Sequence, residues 1–212
     1  AIGMLMRIAF FLAVAFFIYL VWRERRSDID TWSNRAKAAF YGAAVLIVRH
    51  MNKESDNFYA EMLLKHLGAA IRGAGTTADG ARVVRSVLRR RGVPLDGVRI
   101  ADGSGLSLRD RLSARSLAAL LISAWSDPAV KRPFVDSLPV AGVDGTLEDR
   151  MTGGAAYRHV RAKTGTTNTA STLSGYVRRR YVFSILQNGR PIPWWNARLG
   201  QDRFAQILAR AG

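Results

Sequence analysis

Two short polar segments contain residue types that could carry nucleophilic or proton-transfer chemistry. Ser55, Asp56 and Asn57 directly precede an apolar segment with helical periodicity, and Lys-Thr-Gly at 163–165 closes a segment of strand-forming residues. A serine hydroxyl can attack or relay a proton, and a lysine can supply positive charge or act as a base. Each segment also has a simpler explanation, as a helix N-cap or as a turn after a strand. Neither segment decides between these interpretations alone.

The elements around the two segments indicate helices followed by a sheet. Apolar residues recur at helical spacing after Ser55, and Gly68 is expected to end that helix. Residues 97–107 predict a short strand that runs into a glycine-rich turn. Three β-rich segments within about 157–187 have very short connections, which favour antiparallel pairing, and an amphipathic helix follows at about 197–209. This order predicts an α+β fold.

The first fifty residues differ in character from the rest. Residues 8–22 carry no charge, and a helix over residues 4–22 would rise about 28 Å, close to the thickness of the hydrocarbon layer. A transmembrane helix is therefore predicted at 4–22. A buried core helix fits less well because the segment is apolar on all sides, and a cleavable signal peptide fits less well because a charged segment follows directly.

A second apolar run, at 38–48, is too short to span a bilayer and is expected to be an interfacial or packed helix. Residues 1–50 are accordingly interpreted as a membrane anchor with an apolar segment, and residues 51–212 as a separate domain. Arginines and a lysine between the two runs favour a cytoplasmic loop. The side of the membrane that holds the domain is left open, because it depends on whether the second run completes a crossing.

The net charge and the amino-acid composition limit the classes of binding partner and cofactor. The formal charge of +16, from 32 basic and 16 acidic residues, favours anionic partners such as phospholipid surfaces or anionic cell-wall polymers. Nucleic acid is not expected, because no RNA-recognition, zinc-finger or P-loop pattern accompanies the charge. Cysteine is absent, which excludes disulfides, thiol nucleophiles and thiolate metal sites. No metal or organic cofactor is expected.

Ser-x-Asn at 55–57 and Lys-Thr-Gly at 163–165 match, in order, two of the three motifs of the active-site serine penicillin-recognising enzymes; the third is Ser-x-x-Lys. The surrounding segments "MNKESDNFYAEMLLKHLG", "DGSGLS", "LSARSLAALL", "LPVAGVDGTLEDR" and "VRAKTGTTNTASTLSGYV" are similar to the D-alanyl-D-alanine carboxypeptidase/endopeptidase family, the low-molecular-weight class C penicillin-binding proteins. The resemblance runs from about residue 48 to 212. It implies a truncated penicillin-binding-protein/β-lactamase-like α+β domain over 51–212, with Lys163 on an outer strand of a small antiparallel sheet.

The resemblance also implies roles for the catalytic residues. Ser55 belongs to the proton-relay network around the nucleophile, and Lys163 supplies positive charge there. Asn57 binds the peptide amide of an acyl-D-Ala-D-Ala stem.

The same resemblance assigns the terminal carboxylate of the stem peptide to Thr164 and Thr166. The strand after Lys163 pairs with the substrate backbone, as an edge strand can. Gly165 leaves room for the substrate to lie against that strand. The implied ligands are peptidoglycan stem peptides and β-lactams.

The chain departs from the family pattern at the nucleophile. Acyl-enzyme chemistry needs an activated nucleophile, which the family supplies as Ser-x-x-Lys. None of the five lysines follows a serine by three positions; they are Lys37, Lys53, Lys65, Lys131 and Lys163. Ser55 is not expected to replace the nucleophile, since Lys163 would have to act as its base and is expected to lie in water. The chain alone is predicted to be inactive.

Three functional hypotheses follow. The first is a membrane-anchored protein of the carboxypeptidase family in the bacterial cell envelope, which acts on or binds stem peptides. The second is a non-catalytic, membrane-anchored interaction subunit with a protein partner in the membrane. The third is a chimeric or truncated gene product that joins a membrane segment to part of an enzyme. An Ser-x-x-Lys segment in another reading frame, upstream or near codon 48, would favour the first hypothesis.

Overall fold

The structure, a computed structural model, describes the backbone of residues 34–212 and the side chains of residues 42–212. The predicted transmembrane helix at 4–22 lies outside the described residues. Within them, no helix combines the length and the apolarity needed to cross a membrane. The short apolar run at 38–48 forms part of a longer helix, in which Val48 is buried while Val45 and Leu46 are exposed.

Six α-helices and one 3₁₀ turn occupy the described part of the chain. They are α1 (Asn34–Glu54), α2 (Asn57–Arg72), α3 (Thr77–Arg90), α4 (Ala114–Ser126), α5 (Pro128–Ser137), the 3₁₀ turn Gly145–Leu147 and α6 (Trp194–Ala211). Local sequence explains several helix starts, because the side chains of Asp56, Thr76, Ser113 and Asp127 each accept a hydrogen bond from a backbone N–H in the following turn.

The expectation that Gly68 ends α2 is wrong. The helix continues to Arg72 and ends at Gly73, which has a left-handed φ of 76° and donates its N–H to the Ala69 carbonyl. Gly68 lies instead where α2 crosses α3, and a Cβ there would stand 2.8 Å from the backbone nitrogen of Gly80. The glycine therefore permits close helix packing and is not a stop signal.

The three β-rich segments form the predicted antiparallel sheet. Its strands are β1 (Val160–Thr166), β2 (Ala170–Val177) and β3 (Tyr181–Asn188), in the order β1-β2-β3. Lys163 pairs with Ser174 and lies on an outer strand of the sheet, as predicted.

Of the short strand and glycine-rich turn predicted within 97–107, the strand is wrong, since only an isolated pairing of Arg99 with Arg111 is formed, whereas the turn is present. The Asp102 carboxylate accepts the N–H groups of Gly105 and Ser107, and these bonds fold the segment into a turn.

The β2–β3 connection is a tight turn built without glycine or asparagine. Arg178 and Arg179 have left-handed φ angles of 49° and 56°, and the Arg180 N–H donates to the Val177 carbonyl over 2.9 Å. Arg178 also donates from Nε to the Ala209 carbonyl over 2.6 Å, near the end of α6. This contact ties the turn to α6 and helps to offset the cost of the left-handed backbone.

The sheet separates two apolar clusters. Side chains on one face, including Tyr176, pack with α2, α4 and α5. Neighbouring positions such as Val177 point to the other face and pack with Ala205 and Ala209 of α6. The alternation along β2 is the period of a strand buried on both sides. The sheet is therefore the rigid layer on which Lys163 is held.

Candidate active site

Ser55 is not a helix cap; it occupies the junction between α1 and α2. Its φ is 59°, in the left-handed region, and the following Asp56 N–H donates to the Met51 carbonyl over 3.1 Å. This bond closes the end of α1 in the arrangement that usually carries glycine at the left-handed position. Asp56 is the N-cap of α2 and accepts the Tyr59 N–H over 3.0 Å. Asp56, and not Ser55, therefore caps α2.

Lys163 meets Ser55 across the interior of the domain. The Lys163 side chain is fully buried, and its Nζ donates to Ser55 Oγ over 2.8 Å and to the Thr164 carbonyl over 2.9 Å. The expectation that Lys163 lies in water is wrong, because its side chain points from β1 into the helical layer. The structure thus joins the two predicted motifs through a buried serine–lysine pair.

Asn57 has an unused acceptor near this pair. Asn57 is the first residue of α2, and its Oδ1 is buried without a hydrogen-bond partner among the described residues. A buried amide oxygen without a partner is costly. A ligand N–H reaching Asn57 would remove this cost.

The predicted carboxylate-binding residues follow Lys163 on β1. The Thr164 hydroxyl donates to Thr146 Oγ1 over 2.7 Å, and Thr166 Oγ1 accepts from Arg198 Nη2 over 3.2 Å. Gly165 is buried opposite Thr172, whose hydroxyl donates to the Gly165 carbonyl over 3.3 Å. The two threonine hydroxyls are therefore each held by a neighbouring side chain.

The outer side of β1 is covered only along its first half by the hydrogen bonds that link it to residues 139–141. The Ala141 N–H donates to the Val160 carbonyl and the Ala162 N–H to the Pro139 carbonyl, both over 3.0 Å. This pairing ends at Ala162. The segment 163–166 then continues along the edge of the three-stranded sheet.

A partly buried ion pair that sequence reasoning missed positions the end of α1. Lys53 Nζ lies 2.6 Å from both carboxylate oxygens of Asp144, and Asp144 Oδ1 also accepts the Val140 N–H over 2.8 Å. Burial lowers the pKa of Lys53, although the hydrogen bond and charge of Asp144 act to raise it. The pair fastens the loop that carries Thr146 to the helix that leads into Ser55. The local sequence around either residue does not predict this contact, because the two residues are 91 positions apart.

Arg198 is a second residue that sequence reasoning missed. It lies on α6 with its guanidinium 4.8 Å from the Trp194 ring centroid, and its Nε is buried without a partner among the described residues. Burial lowers the pKa of Arg198, as does the nearby Arg150, while Asp202 opposes the shift. The residue brings positive charge and an unused donor beside Thr166. Nothing in the spacing of α6 distinguished it from the other arginines.

Replacing Ser55 by glycine is expected to give a more stable protein than replacing it by alanine, by about 1 kcal/mol. Both changes remove the hydroxyl that Lys163 contacts, but only glycine adopts a φ of 59° without steric cost. Urea unfolding of the two variants measures the difference. Equal stability would show that the left-handed backbone at this position stores no strain.

Comparison with known proteins places this geometry in a family. Residues 45–211 match the model of the D-Ala-D-Ala carboxypeptidase 3 (S13) family. The chain is 43% identical over 149 residues to the D-alanyl-D-alanine carboxypeptidase of Actinomadura sp. (strain R39), covering 66% of this chain and 28% of that protein. It is 34% identical over 176 residues to the carboxypeptidase DacB of Mycolicibacterium smegmatis, covering 78% of this chain and 37% of that protein.

Solved structures show the same fold. Penicillin-binding protein 4 (dacB) of Haemophilus influenzae matches with a TM-score of 0.68 and 25% identity over 79% of this chain and 39% of that chain. The same Haemophilus protein has been solved with a β-lactam. The peptidoglycan endopeptidase Bd3459 of Bdellovibrio bacteriovorus, at 20% identity and a TM-score of 0.63, supports the fold alone over 79% of this chain and 43% of that one.

The chain spans 28% and 37% of the length of the two curated relatives, so the comparison covers one part of their architecture. Within that part it includes the buried serine–lysine pair and the edge strand, and the family match runs through nearly all the described residues. The chain belongs to the D-Ala-D-Ala carboxypeptidase 3 (S13) family.

Proposed function

We propose that Ser55, Asn57 and the segment 163–166 form the peptide-holding side of a site for acyl-D-Ala-D-Ala stem peptides. The observation that carries this proposal is the 2.8 Å contact between Lys163 Nζ and Ser55 Oγ, which joins residues 108 positions apart. The left-handed backbone of Ser55 and the full burial of Lys163 both lower the stability of the folded state. Strained backbone and buried ionisable groups of this kind are concentrated at functional sites.

The contacts suggest how a stem peptide is held. Asn57 accepts a substrate N–H at its unused Oδ1, and the substrate backbone extends along the edge of β1 as an added strand. The substrate carboxylate lies near Thr166, where Arg198 supplies charge. Gly165 keeps this surface free of a side chain.

The proposed function of this chain is binding, because Ser-x-x-Lys does not occur in the sequence. In this arrangement Ser55 relays protons or orients the peptide and does not attack it. β-Lactams, which carry a similar carboxylate and amide, are expected to bind weakly and without acylation. Chemistry on the peptide needs a nucleophile that these 212 residues do not supply through that motif.

The proposal is tested by titrating the protein with N-acetylated L-Lys-D-Ala-D-Ala and following backbone amide shifts by NMR. Shifts are expected at Asn57 and along 163–166, and the peptide that ends in L-Ala-L-Ala should leave them unchanged. Asn57→Leu keeps a side chain of similar size and removes the Oδ1 acceptor, so the affinity should fall about tenfold or more. Equal shifts with both peptides, or unchanged affinity in Asn57→Leu, would contradict the proposal.

Arg198→Gln is expected to weaken binding of the D-Ala-D-Ala peptide by about tenfold, because a partly buried guanidinium–carboxylate hydrogen bond contributes about 1.5 kcal/mol or more. Arg203→Gln, which removes the same charge from an exposed position on α6, is the matched control. The affinity of both variants is measured in the same NMR titration. Equal losses would indicate a general effect of charge.

A second candidate function is that of a non-catalytic, membrane-anchored interaction subunit. The abrupt change in the character of the sequence near residue 48 favours it. In both candidates we propose that residues 4–22 anchor the chain in the membrane of the bacterial envelope. Recovery of the intact chain in a high-salt wash of membranes would contradict the anchor, since salt releases only proteins held by charge.

A further inference from the structure

A basic cavity opens at the turn end of the sheet, away from Thr166. It has a volume of about 360 Å³ and lies between the start of β1 and the β2–β3 turn. Tyr176 and Gly212 contribute to its wall. Its basic lining residues are Arg158, His159, Arg161, Arg178 and Arg179.

Little side-chain negative charge balances these four arginines; the other negative group at the wall is the terminal carboxylate of Gly212. Asp136 lies 3.7 Å from Arg161 and also 3.7 Å from Arg132, so one half-exposed carboxylate is divided between two guanidiniums at more than hydrogen-bond distance. Arg178 donates its Nε to the Ala209 carbonyl near the end of α6, so only the partial negative charge of the helix end faces it. Among the described residues, no carboxylate forms an ion pair with Arg158, Arg178 or Arg179.

The backbone directs these side chains to one place at a cost. Arg158, Arg178 and Arg179 have φ angles of 62°, 49° and 56°, in the left-handed region that non-glycine residues rarely adopt. Turn geometry alone would be satisfied better by glycine or asparagine at 178 and 179. Arginine at these positions instead adds mutual repulsion to the steric cost. An anion between the guanidiniums would relieve that repulsion.

We propose that this cavity binds a phosphate-bearing anion. Guanidinium groups present paired N–H donors that match phosphate oxygens, and several of them around a concave surface favour a phosphate over a monovalent carboxylate. The volume accommodates a phosphodiester with a small polyol attached. Phospholipid headgroups and phosphate-containing wall polymers share this chemistry.

The phosphate site is distinct from the serine–lysine pair, although both use the same face of β1. Arg161 and Lys163 are two residues apart and therefore about 7 Å apart along the strand. Arg161 turns toward the cavity and Asp136, while Lys163 turns toward Ser55. The phosphate site therefore uses none of the peptide-holding residues.

The test uses the 212-residue chain and Arg158→Gln/Arg179→Gln, which removes two exposed guanidiniums that hold no other element in place. The control is Arg115→Gln/Arg203→Gln, which removes the same charge from exposed positions outside the cavity. Three probes are titrated: inorganic phosphate by ³¹P NMR, soluble polyglycerol phosphate by calorimetry, and vesicles of phosphatidylglycerol or phosphatidylcholine by sedimentation. Thermal unfolding confirms that each variant is folded.

The unmodified chain is expected to bind at least one phosphate probe, and the cavity variant to bind it at least tenfold more weakly. The control variant should change by less than about twofold. Binding confined to phosphatidylglycerol vesicles would assign the site to lipid, and binding to the soluble polymer would assign it to a wall polymer; both support the phosphate site. Equal losses in the two variants, or no binding of any probe, would overturn it.

Discussion

Incubation of the 212-residue chain with a fluorescent penicillin is expected to leave no covalent adduct, and a D-Ala-D-Ala peptide is expected to release no measurable D-alanine. Removing the nucleophile of a serine hydrolase lowers kcat by about six orders of magnitude. The only activity left is the residual rate that binding and oxyanion contacts provide. Mass spectrometry of the intact protein and a coupled D-alanine assay measure both outcomes.

The geometry of the serine–lysine pair is the main argument against this expectation. Lys163 is buried and lies 2.8 Å from Ser55 Oγ, which is the separation of a nucleophile from its base. However, Nζ donates to both Ser55 and the Thr164 carbonyl. While Lys163 carries its third proton, its Nζ has no lone pair with which to take the serine proton. Ser55 is therefore expected to remain unacylated despite the short contact.

An adduct mapped to Ser55 would contradict this prediction, and its loss in Ser55→Ala would confirm the assignment. An adduct that persists in Ser55→Ala would place the nucleophile on another serine. Non-covalent binding of the D-Ala-D-Ala peptide is expected in the unmodified chain whether or not an adduct forms, which separates failure of the acylation prediction from failure of the proposed binding site.

Asp110→Asn is expected to stabilise the protein above neutral pH by an amount on the order of a few kcal/mol. Asp110 is fully buried, and its Oδ1 accepts the Ala101 N–H over 2.6 Å. Burial raises the pKa of Asp110 to about 8, and the hydrogen bond and charge of the neighbouring Asp102 add to the shift. Asparagine keeps the acceptor for Ala101 and carries no charge.

The pH dependence follows from the direction of this shift. The pKa of Asp110 in the unfolded chain is near 3.8, below the folded value of about 8. The folded state therefore binds more protons between these values, and stability is lost as pH rises from about 4 to 8. Urea unfolding at pH 5 and pH 8 should show this loss in the unmodified protein but much less of it in Asp110→Asn.

The exposed Asp96 provides the control for Asp110. Asp96→Asn removes the same charge without changing a buried group, so it should leave the loss of stability between pH 5 and pH 8 as it is in the unmodified protein. A similar loss in Asp110→Asn and the unmodified protein would show that Asp110 is ionised in the folded state at both pH values.

Sequence periodicity predicted those parts of the architecture that depend on residue patterns and connection lengths along the chain. The antiparallel sheet followed from three β-rich segments with short connections, and the outer position of Lys163 followed from the family resemblance. In the segment 97–107 the predicted turn formed but the predicted strand did not, because side-chain bonds from Asp102 extend the turn at the expense of strand pairing. Gly68 was misread because a glycine at a helix crossing and one at a helix end have the same local signature.

The candidate site was predictable only as a set of residues. The two motifs named Ser55, Asn57 and Lys163, but the burial of Lys163 depends on which layer covers its strand face. Arg198 could not be identified, since its contact with Thr166 depends on how α6 packs across the sheet. These are non-local contacts, which spacing along the chain does not encode. The predicted membrane segment at 4–22 stays a prediction.

The left-handed backbone at Ser55 affects which substitutions are expected at this position during evolution. Serine and glycine can be exchanged by a single nucleotide change, and glycine is the residue that relieves the conformation at position 55. A lineage that keeps only the fold should therefore drift to glycine there, while a lineage that still uses the hydroxyl should be prevented from drifting. Sequencing this position in close relatives of the chain would read out whether selection still acts on the site, independently of any assay of the protein.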